Sequence, residues 1–152
     1  MAKIGKQIAA LPMRWKKDGT FQVLMVTSRD TGRWIMPKGW TMDGKKPWTA
    51  AEIEALEEAG AVGYIGHEVV GQYTYRKKLG KGVSMICEVD VYPMVVEKLK
   101  SNWKERKERK RKWFSAKSAA KRVSEPKLAD LLRTLAKKPS KQPVIREFLK
   151  AS

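Results

Sequence analysis

Three carboxylates, Glu54, Glu57 and Glu58, lie close together in the segment EIEALEEAG. On a helix of about 3.6 residues per turn, they fall within an arc of about 100°. Like charges at this spacing destabilise a helix, so a shared cation is a physical reason to gather them. Hard cations such as Mg²⁺ take oxygen ligands and usually keep substrate phosphate in their coordination shell. The spacing therefore predicts a metal site, with a solvated acidic helix face as the alternative.

The segment before these glutamates carries positive charge and a glycine. Arg29, Arg33 and Lys38 lie within ten residues of one another, and Gly39 follows Lys38. A glycine lets the backbone come close to a ligand, and cations can bind phosphate oxygens. Phosphate-binding cations beside metal-binding carboxylates are what cleavage of a pyrophosphate bond needs. We therefore expect Arg29, Arg33 and Lys38 to line one cleft beside the glutamates.

One short helix is predicted to carry the carboxylates. Thr49 is followed three residues later by Glu52, the spacing of a capping box, which predicts Thr49 as the N-cap. Gly60 is a natural C′ residue and predicts where the helix ends. The larger apolar residues Ile53 and Leu56 lie on the side away from the carboxylates, so we expect them to face the core.

Strands are predicted around this helix, and further helices close the chain. Four segments have the composition of strands: Ile8–Trp15, Phe21–Thr27, Val69–Arg76 and Val83–Val91. Amphipathic helices are expected to start at Ser115 and at Glu125-Pro126. This order favours a mixed α/β sandwich in one domain. We divide the chain into a domain over residues 1–136 and a basic tail over 137–152 that holds a short helix.

The composition favours a polyanionic partner. Of the 152 residues, 33 are Lys or Arg and 16 are Asp or Glu, a formal net charge of +17. Nucleic acid, an anionic membrane surface or a phosphorylated small molecule would all suit this charge, as would a merely solvated basic surface. The single cysteine, Cys87, is predicted to be a buried strand residue. Because it cannot form an internal disulfide, we expect a reducing compartment and a cytoplasmic protein.

Neither a membrane-spanning segment nor a site in the charged run is expected. No apolar run is long enough to span a bilayer, so we expect no membrane partner. Residues 102–112 form a run of charges bracketed by Trp103 and Trp113, which we interpret as a solvated, partly helical connection.

The segment over residues 39–61 resembles the signature of the Nudix hydrolases, G-x5-E-x7-R-E-U-x-E-E-x-G-U, where U is a bulky aliphatic residue. Gly39 fits the first glycine, and Glu54, Glu57, Glu58 and Gly60 fall at the family spacing. The stretches RWIMPKG, RKRKWF and EPKLADLL look like the branch that includes diphosphoinositol polyphosphate and diadenosine polyphosphate phosphohydrolases. This looser likeness extends over residues 5–135.

The resemblance implies an α/β/α sandwich with a mixed β-sheet and a pyrophosphohydrolase activity. It implies Mg²⁺ or Mn²⁺ held by Glu54, Glu57 and Glu58, with Glu54 acting as a ligand or as the general base. The expected substrate is a polyphosphorylated small molecule, either a dinucleoside polyphosphate or an inositol pyrophosphate. The alternatives are a catalytically weak Nudix-like module that binds RNA or another polyanion, and an enzyme that removes pyrophosphate from RNA 5′ ends. No protein partner is implied.

Two positions depart from the signature. Lys45 stands where the family has its first glutamate, and Ile53 stands where it has an arginine that braces the adjacent glutamate. Glu54 therefore lacks its usual partner. Either the missing arginine costs Glu54 its orientation, or another cation, such as Lys45, braces Glu54.

Overall fold

The computed structural model describes residues 4–151, which form one mixed sheet of eight strands with helices on both faces. The strands are β1 Gly5–Trp15, β2 Phe21–Thr27, β3 Trp34–Ile35, β4 Lys38–Trp40, β5 Ala61–Ile65, β6 Gly71–Gly80, β7 Val83–Leu99 and β8 Arg111–Ser115. The α-helices are α1 Pro47–Ala59, α2 Ala116–Arg122, α3 Pro126–Lys137 and α4 Pro143–Ala151, and a 3₁₀ turn spans Pro139–Lys141. Residues 1–3 of the predicted domain and residue 152 of the predicted tail lie outside the described residues.

The sheet is mixed because β1 and β7 pair in parallel, whereas the other strand pairs are antiparallel. The strand order is β3-β2-β1-β7-β5, with β4 paired to β1, β6 to β7 and β8 to β2. Central strand β7 runs to Leu99, beyond the predicted end at Val91, because it continues to pair with β1 and β5. Cys87 lies in β7 and is buried, as predicted.

Side chains that alternate along β1 build two cores, one on each face of the sheet. Leu11 and Met13 belong to the core covered by α2, α3 and α4, whereas Ile8 and Ala10 belong to the core covered by α1. This arrangement confirms the predicted α/β/α sandwich with a mixed sheet. Among the described residues, no helix is long and apolar enough to cross a membrane.

Helix α1 departs from the prediction at its start and on its buried face. It begins at Pro47, after an N-cap at Lys46 that makes no side-chain cap, so the prediction of Thr49 as N-cap is wrong. Proline is favoured at the first helical position, since its φ is already helical and its missing N–H would have no partner there. The helix does end where expected, with Gly60 in the left-handed conformation at φ 65°.

The face of α1 that packs on the sheet consists of alanines. Ala50, Ala51, Ala55 and Ala59 are buried, whereas Leu56 is exposed and Ile53 is only partly buried. The prediction that Ile53 and Leu56 face the core is therefore wrong. Small side chains let α1 lie close to β1. The carboxylates of Glu54 and Glu58 on α1 thereby lie next to Gly39 and Lys38 of β4.

Candidate active site

A polar cavity of about 570 Å³ lies between α1, the β3–β4 segment, β6 and the charged segment that follows β7. Its carboxylates are those of Glu54, Glu57, Glu58, Glu105 and Glu108. Its cations are those of Arg29, Lys38, Lys77, Lys104 and Arg109. The cavity therefore balances equal numbers of acidic and basic side chains, and Gln7, Ile35, Gly39, Trp40 and Tyr75 complete its wall.

Glu58 is the most deeply placed of the α1 carboxylates. The Lys38 backbone N–H donates to Glu58 Oε1 at 3.3 Å, and Arg109 Nη2 lies 3.5 Å from Glu58 Oε2. Burial raises the pKa of Glu58 to about 8, although the nearby Arg109 acts in the opposite direction. Burial also lowers the pKa of the Lys38 ammonium, against the attraction of Glu58. Both shifts reflect charges held in a partly dehydrated site.

Glu54 lies directly against Gly39 of β4. A Cβ added at residue 39 would come within 2.5 Å of Glu54 Cδ and 2.7 Å of both carboxylate oxygens. The absence of a side chain at this position therefore provides the space that the Glu54 carboxylate occupies. Burial raises the pKa of Glu54 too, and the charge of Glu57 adds to that effect.

Four cavity residues were missed in the sequence, where they belong to the charge run over residues 102–112: Lys104, Glu105, Glu108 and Arg109. The side chains of Glu105 and Arg109 are only 13% and 7% exposed, and Arg109 Nε donates to Glu105 Oε1 at 2.9 Å. The interpretation of this run as a solvated connection is therefore wrong for these two residues. The available signals were the i,i+4 spacing of Glu105 and Arg109 and the tryptophans that bracket the run.

The charged segment is held in place by the end of α1. The last four carbonyl groups of a helix have no intrahelical partner. Here the carbonyl oxygens of residues 57–60 accept hydrogen bonds at 2.8–3.0 Å. The Glu105 N–H donates to the Glu57 carbonyl, and the Trp103 indole donates to the Glu58 carbonyl. The Arg111 guanidinium donates to the Ala59 carbonyl, and the Lys100 N–H donates to the Gly60 carbonyl. The segment and the carboxylate helix therefore form one unit.

Of the three cations expected to line one cleft, the structure brings two to the cavity. Arg29 and Lys38 are part of its wall, together with Gly39. Arg33 is not: its guanidinium donates to Ser124 Oγ at 2.8 Å and to Thr31 Oγ1 at 3.2 Å. Those bonds hold Arg33 toward the α2–α3 connection. The expectation of a three-cation cleft is corrected accordingly, with Lys77 as a cavity cation alongside Arg29 and Lys38.

Neither of the two signature departures, Lys45 or Ile53, is part of the cavity wall. Lys45 is exposed and is not part of the cavity wall, so the idea that it braces Glu54 finds no support. Among residues 4–151, Glu54 forms no ion pair, whereas Glu58 pairs with Arg109 and Glu57 pairs with Lys104 at 3.2 Å. The cations nearest the carboxylates therefore come from the charged segment.

The chemistry of the donors fits a hard divalent cation. Carboxylate oxygens are the ligands that Mg²⁺ and Mn²⁺ prefer, and five glutamates line one cavity. Within the described part of the chain, no three acidic, His or Cys side chains stand together as a ready chelating cluster. Glu57 and Glu58 are drawn toward Lys104 and Arg109 instead. Burial raises the pKa values of Glu54 and Glu58, and a divalent cation bound beside them would act in the opposite direction.

The family assignment follows from comparison with known proteins. A family model described as the NUDIX domain matches residues 6–135. The chain belongs to the Nudix family. Nudix enzymes generally use divalent metal ions. The match includes α1, the cavity wall and the charged segment.

Relatives within this family include enzymes of plants and animals. Nudix hydrolase 21, chloroplastic, of Arabidopsis thaliana is 32% identical over 116 residues, which cover 74% of this chain and 56% of that protein. Diphosphoinositol polyphosphate phosphohydrolase 3-beta of Bos taurus is 30% identical over 119 residues, covering 76% of this chain and 67% of that protein. The chain spans just over half the length of Nudix hydrolases 21 and 13 of Arabidopsis thaliana.

Solved structures agree with the fold. The crystal structure of C. elegans Ap4A hydrolase superposes with a TM-score of 0.61 at 20% identity, covering 89% of this chain and 98% of that chain. A Nudix hydrolase from Nitrosomonas europaea superposes with a TM-score of 0.65 at 18% identity. These similarities establish the Nudix fold.

Proposed function

We propose that this Nudix protein is a metal-dependent pyrophosphohydrolase that cleaves a diphosphate linkage in a polyphosphorylated substrate. The observation that carries the proposal is the cavity in which the α1 carboxylates face Arg29, Lys38 and Lys77. Cations suit the phosphate oxygens of a substrate, and carboxylates suit the metal ion that such a substrate brings. Family membership supports the same reaction class.

In this mechanism, Glu57 and Glu58 would hold Mg²⁺ or Mn²⁺, with Glu105 as an additional carboxylate, and Glu54 is a ligand or the general base. When bound, the metal ion would neutralise phosphate oxygens and lower the pKa of the attacking water. A base would take a proton from the attacking water, the water oxygen would bond to phosphorus, and the bridging P–O bond would break so that the bridging oxygen leaves with the second phosphate. Glu54 suits the role of base, because its raised pKa brings its proton affinity closer to neutral pH. Lys38 and Arg29 would bind the phosphates.

A dinucleoside polyphosphate is the substrate class that we favour over an inositol pyrophosphate. Trp40 is 44% exposed at the cavity, and Tyr75 also forms part of its wall. A nucleobase can stack on such rings, worth about 1–3 kcal/mol per base, whereas an inositol ring cannot stack in this way. The names of two relatives, an Ap4A hydrolase and a diphosphoinositol polyphosphate phosphohydrolase, support long phosphate chains in either class.

The net charge of +17 and the two signature departures favour a second candidate, a protein that acts on or binds RNA. It would either remove pyrophosphate from RNA 5′ ends or bind RNA with little catalysis. A cytoplasmic location remains a prediction beside both candidates, since several plant relatives have names that assign them to chloroplasts or mitochondria.

A phosphate-release screen tests the proposal. Diadenosine polyphosphates, inositol pyrophosphates, nucleoside triphosphates and triphosphorylated RNA are each incubated with the protein in Mg²⁺, in Mn²⁺ and in EDTA. We expect metal-dependent release that is fastest from diadenosine polyphosphates. Release from RNA alone would favour the second candidate, and tight RNA binding without any release would contradict the hydrolase.

A further inference from the structure

Arg109 makes three directed contacts from a nearly buried position. Its Nε donates to Glu105 Oε1 at 2.9 Å, its Nη1 donates to the Thr27 carbonyl at 2.9 Å, and its Nη2 lies 3.5 Å from Glu58 Oε2. A guanidinium is planar and presents its donors in a fixed fork, so these partners define its orientation. Arg109 therefore joins two cavity carboxylates to the end of β2.

The backbone next to Arg109 is anchored as well. The Lys110 N–H donates to Thr27 Oγ1 at 2.9 Å, and the Thr27 N–H donates to the Lys110 carbonyl at 3.0 Å. The same segment caps the carbonyls at the end of α1. A side chain fixed at both its backbone and its tip can hold a neighbouring carboxylate in one place.

Ile53 brings no charge to the α1 carboxylates, and Arg109 is the cavity cation that pairs with Glu58. We infer that Arg109 is a positioning residue for the α1 carboxylates, which it serves by holding Glu58, whereas the signature arginine replaced by Ile53 braces Glu54. The inference rests on the proposed function for its catalytic meaning. Arg109 holds Glu58 through Oε2 while the Lys38 N–H holds Oε1, so the carboxylate is fixed at both oxygens.

A purely structural arginine in the same segment provides the matched control. Arg111 donates to the Ala59 carbonyl at 2.8 Å and stacks over the Trp103 ring at 3.8 Å, and it touches no carboxylate of the cavity. Arg109→Gln and Arg111→Gln thus each remove one guanidinium group from the charged segment. Only Arg109→Gln removes the contact to Glu58.

The kinetic test compares these variants at saturating Mg²⁺. Arg109→Gln should lower kcat by about tenfold or more while KM changes by less than about threefold, since Arg109 positions carboxylates and does not bind substrate. Arg109→Lys keeps the charge but loses the forked donor geometry of the guanidinium, so its kcat should lie between that of the parent and that of Arg109→Gln. Arg111→Gln should lower Tm but keep kcat within about threefold.

Metal affinity gives a readout that does not depend on turnover. Calorimetry with Mn²⁺ should show about tenfold weaker binding to Arg109→Gln, as expected for carboxylates that have lost their orientation. If Arg109 acted only as a positive charge, Arg109→Gln should instead bind Mn²⁺ more tightly, because removing a nearby cation makes the cavity more attractive to Mn²⁺. If Arg109→Gln does not fold, Arg109→Lys carries the same test of kcat and Mn²⁺ affinity.

The outcomes separate this inference from the proposed function. Unchanged kcat and Mn²⁺ affinity in Arg109→Gln, tighter Mn²⁺ binding, or equal losses in Arg111→Gln would overturn the positioning role while the hydrolase stands. If the parent binds Mn²⁺ but hydrolyses no substrate, the proposed function fails. The role of Arg109 is then judged on Mn²⁺ affinity alone.

Discussion

Replacing Gly39 with alanine is expected to disable the site while leaving the fold intact. The added Cβ would lie 2.5 Å from Glu54 Cδ. Carbon atoms in contact normally lie about 3.5–4.0 Å apart, so the carboxylate must move by about 1 Å. The backbone itself is unstrained by alanine, because Gly39 does not have a positive φ. The displaced group is the end of a flexible side chain, so the free energy of unfolding should change little.

A displacement of about 1 Å at a reacting group can lower the rate about a hundredfold. We therefore expect kcat/KM of Gly39→Ala to fall by about two orders of magnitude, with Tm close to that of the parent. The assay is phosphate release from the best substrate of the screen, with Tm measured on the same samples. In Gly71→Ala, the control, the new Cβ would meet only the end of Leu131, at 3.1 Å.

A second control isolates the cause. In a Glu54→Ala background, the carboxylate that Gly39→Ala would displace is absent, so adding Gly39→Ala should lower kcat/KM no further. Parent-like kcat/KM in Gly39→Ala, or a full additional loss in the Glu54→Ala background, would refute the argument that Gly39 acts by making room for Glu54.

Three further predictions address pH, charge and stacking. Burial raises the pKa of Glu58 from its ordinary 4.5 to about 8, so between these values the folded state binds more protons than the unfolded state. Calorimetric scans of the metal-free protein should therefore show stability falling as pH rises through this window, and Glu58→Gln should flatten the slope. Arg29→Ala should raise KM for long phosphate chains by up to about tenfold, since a charge-assisted hydrogen bond is worth about 1.5–3 kcal/mol before solvent screening. Arg33→Ala should leave KM unchanged, because Arg33 bonds to Ser124 outside the cavity wall. Trp40→Ala should weaken binding of dinucleoside polyphosphates by about 1–3 kcal/mol and spare inositol pyrophosphates, as titration calorimetry would measure.

Local patterns in the sequence were enough for much of the fold. The apolar segment Phe21–Thr27 coincides with β2, because a strand covered on both faces needs continuous apolar side chains. Gly60 marks the end of α1, because its left-handed φ is a property of glycine itself. The start of α1 was less predictable, since Pro47 and Thr49 are both good signals and only one can begin the helix.

Features that depend on tertiary contacts were harder to predict. A helix that packs through alanines has a weak apolar periodicity, so Ile53 and Leu56 gave the wrong buried face. Arg109 and Glu105 lie far along the chain from α1, in a run of charges that would normally be solvated. Their burial depends on partners from β2 and α1. Arg33 was misplaced for a similar reason, because Ser124, its hydrogen-bond partner, is distant in sequence.

The most direct test of the central claim is the Mg²⁺-dependent kcat of Glu57→Gln set against that of Glu52→Gln. Both residues lie on α1, but Glu57 is part of the cavity wall and Glu52 is not. A metal-dependent pyrophosphohydrolase built on the α1 carboxylates predicts that Glu57→Gln lowers kcat about a hundredfold or more, at unchanged Tm, while Glu52→Gln matches the parent. Equal turnover by the two variants would contradict the account.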